Sequence, residues 1–221
     1  IIIPEKTPAH TASLDRIKSK PSYQLENNAE WALGVVTGNN SRFVSDSMFE
    51  GYEPVVKGKN LAPFMIDEPE EFIDYKPDDF QQCANPRLYK AKEKLIYKFI
   101  SKKLCFVRDE KGYVTLNSAN IVIPHLPIPM TLICAFLNSN VAQFFYQMNF
   151  ASLKVLRSFI EQIPLPKIKD ENDFVDALKL STKLEKHPMD CKSRKELNSL
   201  IYKHFSLSPK QIVFLEKAIG V

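Results

Sequence analysis

Residues 94–124 alternate between hydrophobic and polar positions in a pattern typical of β-strands. In the first run, Leu95, Tyr97 and Phe99 would share one face of a strand, because successive side chains point to opposite faces. Two further runs rich in β-branched and aromatic residues follow. Residues 109–112 lie between them as a loop of hairpin length that ends in glycine. The pattern predicts a β-meander of antiparallel strands joined by short loops.

Shorter strand-like runs precede this region. Residues 31–36 predict a strand that ends in the turn sequence of residues 37–40, and residues 42–44 resume an extended run. Residues 53–60 predict another short strand with a turn at its glycine. The acidic residues 67–79 that follow predict an exposed loop.

The hydrophobic period changes to that of a helix after residue 129. Apolar residues recur at helical spacing over residues 129–148, and Leu137-Asn-Ser-Asn, with its three polar residues, would divide this segment into two short helices. We therefore interpret the asparagines and the serine of that run as structural. Residues 168–220 predict three more helices, with capping boxes at residues 193–196 and 208–211.

These elements predict an α+β fold. A mainly antiparallel, β-rich lobe would carry the packed helical segment, and a C-terminal helical region would follow it. Residues 1–30 are polar and interrupted by prolines, so we expect them to wrap the surface, with a short helix near residues 13–19. The closely spaced Pro164 and Pro166 predict a domain boundary. It would divide the chain into a recognition domain, 1–166, and a helical region, 167–221.

The composition is that of an ordinary globular protein, with 44% hydrophobic and 25% charged residues among 221. The chain begins without Met, so we expect it to be a fragment of a longer protein. No signal peptide is evident, and the most apolar window, residues 121–137, is interrupted by His125 and by prolines, which argues against a membrane span. The cysteine spacings match no zinc or redox motif, which suggests reduced thiols and a cytoplasmic protein.

Charge is unevenly distributed although the net charge is only +4. Residues 67–79 carry seven acidic side chains and one lysine, a local charge of −6. Residues 87–108 carry eight basic side chains and one acidic one, a local charge of +7. The basic block points to a polyanionic partner. The alternative is a solvated pair of strands whose edge is protected by lysines.

The sequence lacks the motifs of several enzyme classes. It has no glycine-rich phosphate loop and no nucleophile elbow. Asn85-Pro86 is followed by Arg87, so the second proline and the aromatic residue of an amino-methyltransferase loop are missing. Two positions after Glu93 the chain has Leu95, where the Glu-x-Lys pattern of a metal nuclease would need a lysine. We therefore expect no catalysis, no metal site and no cofactor in this chain alone.

Several segments, in order along the chain, resemble the TaqI-like C-terminal specificity domain. This is the target-recognition part of bifunctional (type IIG) restriction–modification enzymes and of related adenine-specific DNA methyltransferases. The segments are ALGVVTGNNSRFV, EPVVKGKNLAPF, KLIYKFISKKLCFVRDEKGYVTLNSANIVIP, LICAFLNSNVAQFFY and EQIPLP. LNSLIYKHFSLSPKQIVFLE resembles the helical tail that often ends these proteins. The chain departs from the family at Lys59-Asn60, where Arg-Asp is common.

The resemblance implies a function in restriction–modification. In that family a separate N-terminal domain binds S-adenosylmethionine and methylates adenine, and a nuclease domain often precedes it. S-adenosylmethionine and Mg²⁺ are therefore expected for the parent enzyme and not for this fragment. The fragment would bind double-stranded DNA, recognise its sequence and position those N-terminal domains. The alternative is a protein-interaction or scaffold module that docks a partner through the C-terminal helices.

Candidate DNA-binding residues follow from this resemblance and from side-chain chemistry. Amides can pair with adenine and arginine or lysine with guanine, whereas basic side chains also hold phosphates. The candidates for base readout are Asn39, Asn40, Arg42, Asn60, Asn117, Ser118 and Asn120. The candidates for phosphate contacts are Lys57, Lys59, Arg87, Lys90, Lys92, Lys94, Lys98, Lys102, Lys103 and Arg108. The alternative for each amide is a turn-forming role.

Overall fold

The computed structural model describes residues 7–150 and 152–221, so the first six residues of the predicted surface segment lie outside the described part. In chain order, the described helices are α1 (Pro8–Lys18), α2 (Asn40–Phe43), α3 (Pro86–Tyr89), α4 (Met130–Leu137), α5 (Asn140–Asn149), α6 (Arg157–Ile160), α7 (Glu171–Lys186), α8 (Cys191–His204) and α9 (Pro209–Ile219). The described strands are β1 (Ser22–Tyr23), β2 (Ala29–Ala32), β3 (Val44–Ser45), β4 (Tyr52–Val56), β5 (Leu61–Ala62), β6 (Met65–Ile66), β7 (Phe72–Asp74), β8 (Lys94–Lys98), β9 (Phe106–Asp109), β10 (Val114–Thr115), β11 (Ala119–Pro124) and β12 (Leu165–Pro166). Short 3₁₀ turns occupy Gly58–Asn60 and Pro77–Asp79.

An antiparallel sheet with the strand order β2-β11-β8-β9 lies at the centre of the fold. On β11, Ile121 lies opposite Ala32 of β2 and Ile96 of β8. On the other side of β8, Ile96 lies opposite Val107 of β9. The predicted α+β class and the antiparallel pairing are confirmed. The meander is wrong in one respect, because β10 does not pair with β9 or β11 and belongs to another sheet.

The two faces of the central sheet are buried in separate hydrophobic cores, and successive side chains of β8 alternate between these cores. Leu95 and Tyr97 belong to a core that includes the apolar residues of α4 and α5. Ile96 and Val107 belong to the core on the opposite face. The central sheet is therefore the middle of three layers.

A second sheet, with the strand order β10-β4-β7-β3, packs on the face that carries Ile96. Its β10 pairs with β4 in parallel, so the loop after β9 carries the chain away from the central sheet. The predicted exposed loop at residues 67–79 is wrong for β7, which pairs with both β3 and β4 and buries Ile73 completely. The three residues of β7 lie among acidic neighbours, and they are too few to show the alternation of hydrophobic and polar positions that predicts a strand.

Helices form the third layer, on the face that carries Leu95. The predicted break in residues 129–148 is confirmed, because Ser139 caps α5 by accepting a hydrogen bond from the Ala142 N–H at 3.2 Å. The three predicted C-terminal helices are confirmed as α7, α8 and α9. Their buried residues share the core of α4 and α5. The division of the chain at residues 166 and 167 stays a prediction.

Of the two capping boxes predicted for the C-terminal helices, the structure contains one. Ser208 begins α9 with the predicted capping box, in which its N–H donates to Gln211 Oε1 at 3.0 Å and its Oγ accepts from the Gln211 N–H at 3.4 Å. The other predicted box, at residues 193–196, is wrong. Helix α8 begins earlier, and Asp190 caps it by accepting from the Ser193 N–H at 3.1 Å.

Two N-terminal boundaries also differ from the prediction. The short helix expected near residues 13–19 begins at Pro8, after an N-cap at Thr7. The extended run predicted at residues 42–44 is wrong for Arg42 and Phe43, which lie in the single turn α2. The cause is local, because Asn39 accepts a hydrogen bond from the Arg42 N–H at 3.3 Å and so starts a helical turn.

Candidate nucleic-acid interface

The turn at Asn117 and Ser118 brings together polar segments that are far apart in the sequence. The Asn117 N–H donates to the Val35 carbonyl at 3.1 Å, and Ser118 Oγ accepts from the Gly58 N–H at 2.9 Å. The Ser118 carbonyl accepts from the Phe99 N–H at 3.0 Å. The segments that contain Asn39, Lys59 and the lysines after Phe99 therefore meet around one turn.

Glycine is required at two points where these segments meet. A Cβ on Gly34 would lie 2.1 Å from the Leu116 carbonyl oxygen and 2.5 Å from that of Ala119. A Cβ on Gly58 would lie 2.7 Å from the Ser118 carbonyl oxygen. Both contacts are with backbone atoms, so no side-chain rotation would relieve them. The absence of side chains at these glycines is what lets the polar segments approach.

Two more loops extend this arrangement on either side. Val36 and Gln82 exchange backbone hydrogen bonds of 2.9 and 3.0 Å, which places the loop after β7 beside residues 37–40. At the other end, Ile100 forms a β-bridge with Lys154. We refer to this row of segments as the polar rim; it comprises residues 37–40, 57–60, 81–82, 98–103, 117–118 and 152–154.

Burial contradicts the prediction that Asn120 and Asn60 contact bases. Asn120 is 1% exposed, and its Oδ1 accepts from the Gly34 N–H at 3.0 Å. Asn60 is 7% exposed, and its Oδ1 accepts from the Lys57 N–H at 2.9 Å. Both amides hold the backbone of the rim together, which is the turn-forming alternative. Asn120 lies in β11, three positions after Asn117 of the preceding turn, and of the two only Asn120 is buried.

The remaining base-readout candidates are accessible to different degrees. Asn117 is exposed, and its side chain makes no hydrogen bond within the described chain. Asn39 and Asn40 are also exposed, but Asn39 Oδ1 accepts from the Arg42 N–H and Asn40 Oδ1 accepts from the Thr37 hydroxyl at 2.6 Å. Their amide nitrogens have no hydrogen-bond partner among residues 7–150 and 152–221 and can therefore donate to a ligand. The roles of these three residues in base readout stay predictions.

Two further candidates already have partners in the protein. Arg42 is exposed, but its guanidinium pairs with the Asp79 carboxylate at 3.2 Å. The Ser118 hydroxyl oxygen accepts from the Gly58 N–H, which leaves its O–H able to donate. Burial does not exclude the predicted DNA contacts of either residue, and at Arg42 a base would have to compete with Asp79.

Sequence reasoning missed Gln81 and Gln82. Both are exposed at the rim, beside residues 37–40, and neither side-chain amide has a hydrogen-bond partner in the described part of the chain. Their place depends on the bridge to Val36, which joins residues more than forty positions apart. A pair of adjacent glutamines was the only signal in the sequence, and it does not by itself indicate a site.

Ion pairs hold most of the predicted phosphate-binding residues. The carboxylate of Glu71 accepts from both Lys57 and Lys59, and Arg108 lies among three carboxylates. The pairs are Lys57–Glu71 (2.5 Å), Lys59–Glu71 (2.9 Å), Arg108–Glu93 (2.5 Å), Arg108–Glu110 (2.7 Å), Arg108–Glu185 (3.1 Å), Arg87–Glu30 and Lys90–Glu53. Partial burial tends to raise the pKa of Glu71, but the two lysines outweigh burial and hold it below its usual range. Much of the local charge of +7 is therefore compensated within the fold.

The prediction that Lys94 binds phosphate is wrong. Lys94 is 0% exposed, and its ammonium donates to Asp109 Oδ2 at 2.5 Å and to the Tyr89 carbonyl at 2.6 Å. Burial lowers the pKa of Lys94, although the Asp109 carboxylate opposes this effect. The alternation along β8 directs Lys94 to the same face as Ile96, which is covered by the second sheet.

The predicted phosphate-binding residues without an ion pair lie at two places in the described chain. Lys92 lies before the start of β8, away from the rim. Lys98, at the end of β8, and the exposed Lys102 and Lys103 in the following loop lie on the rim. Lys154, which sequence reasoning did not select, is exposed beside that loop, where the Ser101 N–H donates to the Leu153 carbonyl at 2.9 Å. The uncompensated positive charge of the rim is therefore concentrated in residues 98–103 and 154.

The polar run between α4 and α5 has the structural role that we predicted. Asn138 donates its amide to the Phe106 carbonyl at 2.8 Å and accepts from the Phe106 N–H at 3.0 Å. Asn140 donates to the Tyr202 hydroxyl at 2.8 Å, and Ser139 caps α5. These side chains fasten the helices to the central sheet and to α8.

No group of three or more His, Cys, Asp or Glu side chains is placed to hold a metal ion among residues 7–150 and 152–221. The cysteines are free thiols, and burial raises the pKa of Cys105 to about 11. Within the same ranges no helix has the length and apolar character to cross a membrane.

Comparison with known proteins gives a consistent set of similarities. The family model described as "TaqI-like C-terminal specificity domain" matches residues 53–165, just over half of the chain. A segment of 49 residues, 22% of the chain, is 42% identical to the Type II methyltransferase M.VspI of Vibrio sp. (strain 343) and covers 12% of that protein.

Two solved structures are similar to this chain at low sequence identity. The type IIL restriction-modification enzyme MmeI, solved in complex with DNA, matches 91% of this chain over 36% of its own length, with a TM-score of 0.57 and 10% identity. The HsdS subunit from Thermoanaerobacter tengcongensis matches 89% of this chain over 50% of its own length, with a TM-score of 0.49 and 10% identity. The chain thus spans half or less of each of these proteins.

Proposed function

Because the chain belongs to the family of TaqI-like C-terminal specificity domains, we propose that it binds double-stranded DNA and recognises a particular base sequence. The chain is a specificity domain of restriction–modification, and the DNA-bound state of the MmeI structure, which shares the fold, supports this partner. The polar rim would be the contact surface. Its free cations Lys98, Lys102 and Lys103 would hold phosphates. The exposed amide of Asn117 would contact a base edge.

The turn at Asn117 and Ser118 carries this proposal. Through Ser118 the turn accepts hydrogen bonds from the Phe99 N–H, just before the loop that contains Lys102 and Lys103, and from the Gly58 N–H. The Asn117 side-chain amide is exposed between these two segments. Phosphate contacts and base contacts need such a fixed separation, because the sugar–phosphate backbone sets the register in which base edges are presented.

The chemistry on DNA would come from other domains. We propose that an N-terminal methyltransferase domain, a nuclease domain, or both, belong to the same parent protein, and that S-adenosylmethionine and Mg²⁺ act there. The described residues of this chain would then grip and recognise the duplex without methylating or cutting it. Incubation of the purified chain with labelled S-adenosylmethionine and DNA should give no methyl transfer, and transfer above a no-enzyme control would contradict this part.

A salt titration tests the proposed surface. A fluorescent duplex is titrated with the chain at several salt concentrations, for the wild type and for a triple variant in which Lys98, Lys102 and Lys103 are replaced by Ala. The triple variant should bind all duplexes more weakly, and the slope of log K against log [salt] should flatten by roughly 0.9 for each phosphate that the variant fails to neutralise. The matched control is a triple variant of exposed lysines on the C-terminal helices, Lys186→Ala, Lys210→Ala and Lys217→Ala.

The same titration separates the alternative function. A scaffold module that docks a partner through the C-terminal helices would rely on apolar contacts, which salt does not weaken steeply. Absence of salt-dependent DNA binding by the wild-type chain would therefore contradict the proposed function. Equal losses in the rim variant and in the control variant would show that binding follows total charge and not the polar rim.

A further inference from the structure

The exposed amides of the rim differ in how much of the amide is available. Recognition of adenine by an amide uses both the carbonyl oxygen and the NH₂ group, one for N6 and the other for N7. In Asn39 and Asn40 the oxygen already accepts a hydrogen bond within the protein. The exposed side chains of Gln81, Gln82 and Asn117 keep both groups free within the described chain. These three amides meet the requirement for bidentate pairing.

The backbone that carries the two glutamines is fixed. Gln82 exchanges hydrogen bonds of 2.9 and 3.0 Å with Val36, so residue 82 forms a bridge instead of a flexible tip. The preceding Phe80 packs its ring against Phe43 and Tyr75, with centroids 5.2 and 5.8 Å apart. A loop anchored on both sides can present side chains at a constant position, as base recognition requires.

The cations near these glutamines are already paired. Arg42 binds the carboxylate of Asp79, two positions before Gln81, at 3.2 Å, and Arg87, five positions after Gln82, binds Glu30. Guanine is recognised mainly by arginine or lysine through O6 and N7. At this end of the rim a guanine would have to break an ion pair, whereas an adenine would meet unoccupied amides.

We propose that Gln81 and Gln82 are specificity-determining residues that recognise A·T base pairs in the target duplex. This inference rests on the proposed DNA binding and adds to it the loop after β7 and the kind of base pair contacted. Gln81 and Gln82 form one readout unit at the end of the rim opposite the free lysines, with Asn117 between them.

Selection from a pool of random-sequence duplexes tests the assignment without knowledge of the site. The purified chain is bound to the pool, the retained duplexes are sequenced, and the preference at each position is compared between wild type and variants. Gln81→Ala and Gln82→Ala should each lose on the order of 10- to 100-fold of the preference for an A·T pair at one or two positions, with the other positions unchanged. Gln82→Glu should lose the adenine preference as well, because a carboxylate has no N–H to donate to N7.

Each outcome has a distinct meaning. The control is Gln24→Ala, an exposed glutamine outside the rim, which should leave the preferences unchanged, and thermal unfolding confirms that each variant is folded. Enrichment of no motif by the wild type would contradict the proposed function itself. Enrichment of a motif that both glutamine variants leave unchanged, or loss of preference at G·C pairs instead of A·T pairs, would overturn this inference while the proposed DNA binding stands. Equal loss of affinity for every duplex would also overturn it, since that is the behaviour of a phosphate contact.

Discussion

Lys94 and Asp109 form an ion pair that is fully enclosed by the fold. Lys94 Nζ lies 2.5 Å from Asp109 Oδ2, and the two side chains are 0% and 1% exposed. Asp109 Oδ1 and Oδ2 also accept from the backbone N–H groups of Lys111 and Tyr113, at 2.8 and 3.0 Å. The pair therefore shapes the loop that leads the chain from the central sheet to β10.

Replacement of Lys94 by Met should destabilise the protein without altering its contact surface. The Asp109 carboxylate would be left buried without its cation, which costs about 3–5 kcal/mol of the free energy of unfolding. Urea unfolding measures this loss. The salt slope of DNA binding, measured where the variant is folded, should equal that of the wild type. A flatter slope would instead restore Lys94 as a phosphate contact.

Glu185 gives the protein a pH-dependent component of stability. It lies between Arg108 at 3.1 Å and the Thr131 hydroxyl at 3.3 Å, and burial raises its pKa despite the attraction of Arg108. For an acid whose pKa is raised on folding, the stabilisation is complete below the unfolded pKa near 4.5 and is lost as pH rises through the folded pKa. Glu185→Gln should therefore be at least as stable as the wild type at pH 7 and should lose that advantage below pH 4.5. Urea unfolding at both pH values tests this, and a variant less stable at pH 7 than at pH 4 relative to wild type would contradict it.

Substitution of Gly34 by Ala should disrupt the centre of the polar rim. The added Cβ would meet backbone carbonyls at 2.1 and 2.5 Å, so the Asn117–Ser118 turn must move. Overpacking of this kind typically costs about 1–3 kcal/mol, and contact with rigid backbone places the cost at the upper end. Gly51→Ala is the control. Gly51 has a left-handed φ of +81°, and no atom lies within 4 Å of a Cβ added there. This variant should therefore show only the backbone cost of about 1–2 kcal/mol. Equal unfolding free energies for the two variants would contradict the close approach.

The sequence predicted those parts of the fold whose signal is local. Period-two alternation identified which residues of β8 share a face, and the structure places Leu95 and Tyr97 in one core and Ile96 in the other. The break before α5 and the capping box before α9 were also predicted, because Ser139 and Ser208 bond to backbone N–H groups only three residues further along. In each case the residues that determine the structure lie within a few positions of one another, so their spacing is visible in the chain.

Non-local pairing accounts for what could not be predicted. β10 pairs with β4, nearly sixty residues away, and β7 is held by strands on both sides, so neither shows a pattern of its own. Lys94 was expected at the surface because a lone lysine usually is, and only its pairing with Asp109 permits burial. The same limit applies to the rim, where a β-bridge places Gln82 beside Val36 and the sequence around neither residue predicts that bridge.

Lys154 should contribute one phosphate contact that the basic block of the sequence did not include. It is exposed without an ion pair in the described chain, beside the loop that carries Lys102 and Lys103. Lys154→Ala should weaken binding to all duplexes alike and reduce the salt slope by about 0.9. Lys90→Ala is the control, because its ammonium is already paired with Glu53 and should release no counterion from DNA. A larger effect of Lys90 than of Lys154 in the same titration would show that the ion pairs open on binding.

Asn117 and Asn120 should separate base recognition from folding. Asn120→Ala removes the acceptor of the Gly34 N–H and leaves a buried donor unsatisfied, so unfolding should become easier by about 1–3 kcal/mol. Asn117→Ala removes an exposed amide that has no partner in the described chain, so stability should stay within about 0.5 kcal/mol of the wild type. On a duplex enriched by selection, Asn117→Ala should cost about 1–3 kcal/mol of binding free energy, and on a scrambled duplex it should cost little. If Asn117→Ala instead lowers affinity for both duplexes in the same proportion, Asn117 is a turn former like Asn120, and base recognition must lie elsewhere on the rim.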